Sequence, residues 1–378
     1  MRILVLLLFW SLWFVNFSTR TVISPLLPVI EDELGISHAL AGSVFTFLAV
    51  GYTITLLLSG LLSPRIGYKR SIVLGFAISV AAVFCLKYAA TYHSLVTASL
   101  FIGLGAGIYL PSAIPLVTAM FGRRNWGKAI AFHDTAATFS ILAIPILTAV
   151  ALRFFYWRDI FVILGAACLI VLISFWVFSP DPRPQEENRA RFSRLLGRRD
   201  FWIIAILWIF GASNGLGLYN VMPLFMVKER GMDLEMANTI LGLSRVGGLL
   251  MVIMAGFLVD RYGVKRILFL ALVSTGLSTM GLAVAQGFRL LVVMLIVQAT
   301  VSSLFFPAAL VGISKLTNFN ERSIFTGATI AIGVVVGVGI TPVMLGAVAD
   351  VWNFQTGILV LGVITTLSCI VLRDLQKI

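Results

Sequence analysis

The sequence predicts an all-α membrane protein, with twelve transmembrane helices in two pseudo-symmetric six-helix bundles. Three observations predict it. Of 378 residues, 60% are hydrophobic and only 12% are charged, against about 25% charged in a soluble domain. Apolar runs separated by short polar punctuation recur along the whole chain. A signature in the first half returns in the second at an offset of 196 residues.

The runs lie at 4–30, 39–62, 71–90, 95–120, 128–151, 160–178, 201–226, 236–258, 267–285, 290–313, 323–347 and 354–372. A spanning helix needs about 20 apolar residues. Gly and Pro fall inside several runs, which membrane helices tolerate. The opening MRILVLLLFWSLWFV resembles a signal peptide. No small-residue cleavage site follows and the apolar run continues, so it reads as a retained first helix.

The repeated signature is GLLSPRIGYKR at 60–70 and GFLVDRYGVKR at 256–266. The same shift nearly aligns Pro111 with Pro307 and Pro145 with Pro342. The expected organisation is therefore residues 1–178 as one bundle, 201–378 as the other, and 179–200 as a hydrophilic linker. The net charge of +12 reflects orientation rather than nucleic-acid binding. Twenty Lys and Arg fall in the loops of one side and six on the other. The positive-inside rule then places both termini and the linker in the cytoplasm. The linker reads as a solvated connector with a basic face toward membrane lipids.

The second copy of the signature matches, at every position, the G-x-L-x-D-R-x-G-x-[KR]-[KR] loop of the major facilitator superfamily, which the chain therefore resembles. The first copy departs once, where Pro64 replaces the acid. WRDIF at 157–161 is similar to that family's WR-x-x-F at the entry to the sixth helix. The resemblance spans the chain. It implies two six-helix bundles around a central cavity, working by alternating access. It also implies gating by Gly60, Arg65 and Gly67 in one half and by Gly256, Asp260, Arg261, Gly263 and Arg266 in the other. The glycines would permit close helix approach, and Asp260 would pair with the arginines or a helix N-terminus. Lys69 and Lys265 read as plain positive-inside anchors. The family's fourth-helix arginine is replaced by Ser99 beside Gly103 and Gly105. Pro145 lacks the flanking glycines of the antiporter motif.

Two arginines, Arg20 and Arg245, sit inside apolar runs. Each costs about 2.5–3.5 kcal/mol at mid-membrane, so each marks function. Arginine's rigid fork suits a carboxylate, and one from each half would make a clamp. Asn16, Arg20 and Ser24 share a helix face. Asn214, Gln298, Ser302 and Tyr52 complete the expected substrate-binding set. His133 and Asp134 are the expected proton-coupling pair, with at most one facing the cavity because adjacent residues diverge on a helix. Tyr109 and Tyr219 are further candidate donors.

Cys85, Cys168 and Cys369 fit neither a metal site nor a disulfide framework. No nucleotide loop or nucleophile elbow occurs. The chain therefore reads as no enzyme, without cofactor or metal, and as a monomer. The expected function is secondary active transport of a small organic anion across the cytoplasmic (inner) membrane, with proton symport. The alternatives are export of a larger amphipathic solute, such as a siderophore or drug, and a non-transporting membrane sensor. Reporter fusions after Ile378 and within the linker should both read cytoplasmic. A signal from the opposite side at either point would overturn the predicted orientation.

Overall fold

The computed structural model describes residues 2–121, 125–181 and 196–375. Most of the expected linker, together with Arg123 and Arg124, lies outside the described residues. Every regular element among them is helical, as a bilayer requires of a chain that must satisfy its own backbone hydrogen bonds. Twelve helices are long and apolar enough to span, and they coincide with the twelve runs. The chain divides into two compact units, residues 1–36 with 44–186 and residues 37–43 with 187–378.

The first unit holds α1 (Ile3–Leu34), most of α2 (His38–Gly60), α3 (Tyr68–Leu86), α4 (Tyr92–Met120), α5 (Lys128–Ala151) and α6 (Trp157–Phe178). α1 is interrupted at Val22, between a helix ending at Thr21 and one starting at Ile23. Pro25 has no N–H to offer the Thr21 carbonyl four residues earlier, and that is where the ladder breaks. Glycines set the approach of α4 to its neighbours. A Cβ on Gly103 would collide with the Leu48 carbonyl oxygen in α2, and one on Gly105 with that of Gly75 in α3. The backbones therefore touch directly, as small residues allow in membrane bundles.

α6 is clasped at both ends. At its start, Glu33 accepts hydrogen bonds from the Tyr156 hydroxyl, from Trp157 Nε1 at 2.5 Å and from the Arg158 guanidinium. Arg158 also donates to the Ala89 carbonyl at 2.9 Å and lies 4.4 Å from the Trp157 ring centre. At the other end, the Lys69 ammonium donates to the Ser179 carbonyl at 2.6 Å.

The second unit holds α7 (Arg199–Lys228), α8 (Leu234–Tyr262), α9 (Val264–Val284), α10 (Phe288–Leu316), α11 (Ile324–Val351) and α12 (Phe354–Asp374). It also takes in Ser37–Ser43, where Asp350 accepts from the His38 and Ala39 amides at 2.9 Å each. The clasp recurs around α12. Glu229 accepts from the Phe354 amide and, at 3.3 Å, from that of Gln355. Lys265 donates to the Leu375 and Arg373 carbonyls at 3.0 and 3.5 Å. Glu33 and Glu229, Lys69 and Lys265, Ser179 and Leu375 are each 196 residues apart. The lysines are thus not plain anchors. They satisfy the orphan carbonyls at helix C-termini, where the dipole favours a cation.

Two π-helical segments mark this unit, Ser213–Gly217 in α7 and Val334–Ile340 in α11. The stretch 214–220 is therefore helical throughout. The segments face each other so closely that a Cβ on Gly217 would collide with the Gly337 carbonyl oxygen. Ser213 and Thr341 hydroxyls bridge them at 2.8 Å.

The signature loops require one correction. Gly67 and Gly263 hold φ of +95° and +84°, a conformation glycine adopts without a Cβ clash. Gly256 faces open space, so it serves no close approach, and Gly60 lies within the α2 helix. Arg65, Asp260, Arg261 and Arg266 are exposed. Among the described residues no ion pair joins Asp260 to Arg261 or Arg266 in this conformation.

Removing the charge at either clasp should loosen its helix. Glu33→Gln and Glu229→Gln should each cost about 1–2 kcal/mol, the scale of hydrogen bonds to a charged but partly exposed group. Thermal unfolding in detergent reads this directly. An unchanged midpoint in both variants would show that the clasps hold nothing.

Candidate functional site

Arg20 occupies the last turn of the helix that ends at Thr21, just before the α1 break. Its guanidinium carbon lies 4.2 Å from the Phe17 ring centre, 4.8 Å from that of Tyr52 and 5.5 Å from that of Trp13. Trp13, Phe17 and Arg20 follow helical spacing on α1, and Tyr52 comes from α2. Cation–π attraction of this kind is worth about 2 kcal/mol or more when desolvated. The three rings surround the cation, and the Tyr52 hydroxyl also lies within hydrogen-bonding reach of it. Nε and Nη2 of Arg20 are buried and have no hydrogen-bond partner among the described residues. One turn earlier, Asn16 is fully buried, and both its amide atoms lack a partner.

α5 supplies the expected coupling pair, and the structure separates its members. His133 is fully buried. Its Nε2 lies 2.9 Å from the Tyr109 hydroxyl, which donates its own proton to the Phe9 carbonyl at 2.9 Å. The hydroxyl can then only accept, so His133 carries its proton on Nε2. Trp13 stacks on both rings, with centroids 5.0 Å from Tyr109 and 5.8 Å from His133. Asp134 is exposed instead, within electrostatic reach of Tyr52. No ion pair joins it to Arg20 among the described residues. Ser140 holds α5 against the α1 break, 3.1 Å from the Ser18 hydroxyl and 3.3 Å from that of Thr21.

The second unit repeats the pairing with the roles exchanged. Arg245 sits where the two helical pieces of α8 meet, 4.7 Å from the ring centre of Tyr219 in α7. Its Nη1 donates to the Gly215 carbonyl at 3.2 Å. That carbonyl belongs to the π segment, and such segments recur at functional sites. Arg245 Nε is buried without a partner. In the first half the arginine is on the first helix and the tyrosine on the second. In the second half the order is reversed.

Asn214, Gln298 and Ser302 are brought together or close, but as support. Asn214 donates to the Phe210 carbonyl and the Thr365 hydroxyl, and accepts from Thr279 at 2.9 Å. Gln298 donates to the Asn214 carbonyl at 3.1 Å. Ser302 bonds back to Ala299 in its own helix. The Asn214 network ties α9, α10 and α12 to the π segment that Arg245 touches. Phe305 packs on Trp208, and Phe306 lies against Gly215. Sequence reasoning did not assign Trp13 and Phe17 to the arginine, although their spacing on the face of Arg20 is legible. It also missed Glu33 and Glu229, which the 196-residue shift pairs as it pairs the signatures.

The sequence profile of the Major Facilitator Superfamily matches residues 9–288 and 214–376. The chain belongs to this superfamily of transporters and is no enzyme. It is 24% identical over 271 residues to the probable sulfoacetate transporter SauU of Cupriavidus necator, covering 66% of this chain and 63% of that protein. It is 23% identical over 249 residues to the hexuronate transporter of Escherichia coli K12, covering 58% and 56%. The uncharacterized MFS-type transporter YceJ of Bacillus subtilis is 28% identical over 182 residues, covering 47% and 46%. These matches span about half to two thirds of the relatives' lengths. A crystal structure of the nucleoside transporter NupG shares the fold, with a TM-score of 0.85 at 15% identity, covering 99% of this chain and 100% of that one. The D-xylose–proton symporter does so with a TM-score of 0.80 at 15% identity, covering 97% of each.

The two buried asparagines should respond oppositely. Asn214→Ala breaks several hydrogen bonds and strands their partners, so it should cost about 2–4 kcal/mol. Asn16→Ala removes an amide that no protein group satisfies, so it should cost less than about 1 kcal/mol. Thermal unfolding of the two variants checks the order. A larger loss for Asn16→Ala would refute this division into scaffold and open site.

Proposed function

We propose that this chain carries a small organic anion, carboxylate- or sulfonate-bearing, across the cytoplasmic membrane by alternating access, with both termini cytoplasmic. The observation that carries the reading is the pair of arginines within the spans, Arg245 buried and Arg20 half-buried with its Nε and Nη2 buried. Each lies against a tyrosine ring, and Arg20 Nε and Nη2 and Arg245 Nε have no hydrogen-bond partner among the described residues. A buried unpaired donor is costly, and an anionic substrate offsets that cost. Asn16 adds a neutral donor beside Arg20. The sulfoacetate and hexuronate relatives carry solutes of this class by name.

Coupling to a proton fits Asp134 better than His133. His133 is locked in a hydrogen-bonded aromatic stack. Asp134 is exposed and near the Arg20 half-site. Ionised, it offers Arg20 an internal counter-charge. Protonated, it releases the guanidinium to the substrate, so anion and proton enter together. Tyr52 holds the face of Arg20 in either state. Asp260, exposed and in no ion pair among the described residues, is the group to engage Arg261, Arg266 or a helix N-terminus in another conformation and so set the gate; in the first half Pro64 stands at that position, so the latch there is weaker or built differently.

Calorimetry with hexuronates, sulfoacetate and simple carboxylates tests the arginines. Arg20→Lys and Arg245→Lys should each lose at least about ten-fold in affinity while remaining folded, since lysine cannot replace a bidentate, stacked fork. The double variant should lose less than the product of the two. Wild-type affinity in either single variant removes that arginine from the site. In proteoliposomes, Asp134→Asn should bind substrate yet no longer concentrate it with an imposed proton gradient. Retained proton-driven uptake there would place coupling elsewhere.

A further inference from the structure

We propose that the second half carries a binding site for an anionic phospholipid, in the groove between α9 and α12 at the end bearing the signature loop. A cavity of about 490 Å³ opens there. Its lining includes the exposed side chains of Phe269, Leu270 and Ile370 together with Lys265, Arg266 and Arg373. This is a largely apolar trough whose lining also carries three cations. It matches a molecule with hydrocarbon chains and a phosphate head.

The charges are available. Asp374, the acid next to Arg373, is taken by Arg199 at 2.8 Å, and Asp260, the acid nearest in sequence to Lys265 and Arg266, pairs with neither in this conformation among the described residues. Arg266 and Arg373 are exposed and in no ion pair among the described residues. Lys265 lines the cavity and bonds to the Arg373 and Leu375 carbonyls, and keeps a third N–H. Basic pockets between transmembrane helices hold acidic lipid heads by this chemistry.

The internal duplication supplies a control. At the positions 196 residues earlier, Arg70 replaces Arg266 and Leu74 replaces Leu270, but Val177 stands where Arg373 does. The first half's Lys69 lies 5.4 Å from the Trp176 ring centre instead. The first half therefore lacks the third cation, and the site belongs to the second half.

The test uses purified full-length protein in non-ionic detergent, with native mass spectrometry and thermal unfolding as readouts. The probes are phosphatidylglycerol, phosphatidylcholine with the same chains, and inorganic phosphate. Phosphatidylglycerol should bind and raise the unfolding midpoint more than phosphatidylcholine. Arg266→Gln and Arg373→Gln should each weaken its binding about five-fold, equal to ~1 kcal/mol per arginine. The double variant should not distinguish the two lipids, and Arg70→Gln should behave as wild type. Equal binding of both lipids, the same stabilisation by inorganic phosphate alone, or a double variant that still prefers phosphatidylglycerol would each overturn the site.

Discussion

The structure depends on one constraint. Inside a bilayer no water replaces a lost hydrogen bond, so every backbone group and every charge must find its partner within the protein or its cargo. The helices follow from it, and so do the places where the helices are interrupted. The break at Val22, the two π segments and the junction at Arg245 all free or reposition backbone groups, and all lie in helices that carry or contact the candidate site. The π segment of α7 shows this most directly. Its Gly215 carbonyl receives the Arg245 guanidinium, and its Asn214 anchors the network reaching Thr279, Gln298 and Thr365.

Duplication explains the scaffold and its divergence explains the site. The clasps on α6 and α12 use glutamate and lysine at equivalent positions in both halves. They keep the last helix of each half fixed to the first and to the signature loop. The arginine–tyrosine pairs are not equivalent. Arg20 and Tyr52 come from the first and second helices, whereas Tyr219 and Arg245 exchange those places. The scaffold thus retains its twofold design, while the arginine–tyrosine pairs lie about one helical turn from equivalence between the halves. Pro64 against Asp260, and Val177 against Arg373, are further places where the halves differ in charge.

His133 and Asp134 illustrate how a helix assigns roles. They are neighbours in sequence, and successive residues differ by about 100° around the axis. One enters the aromatic stack of Trp13 and Tyr109, where its hydrogen bond fixes its tautomer. The other stays exposed. Spacing alone said that they part, and only the packing of α5 on α1 decided which goes where.

The sequence by itself determined the class, the twelve spans, the duplication and the two arginines. These rest on hydrophobicity, length and local identity, which need no knowledge of neighbours in space. Packing against other helices decided the rest. It tied Asn214 and Ser302 into hydrogen bonds that close within the second unit or within their own helix, and it held Gln298 to the Asn214 carbonyl by Nε2 while leaving its buried Oε1 without a partner among the described residues. It left Asn16 open. It turned Lys69 and Lys265 from surface anchors into caps, and it boxed Arg20 with Trp13, Phe17 and Tyr52. A polar residue in an apolar run announces that it has a partner, but the partner is chosen by distances between helices, and those exist only once the bundle has formed.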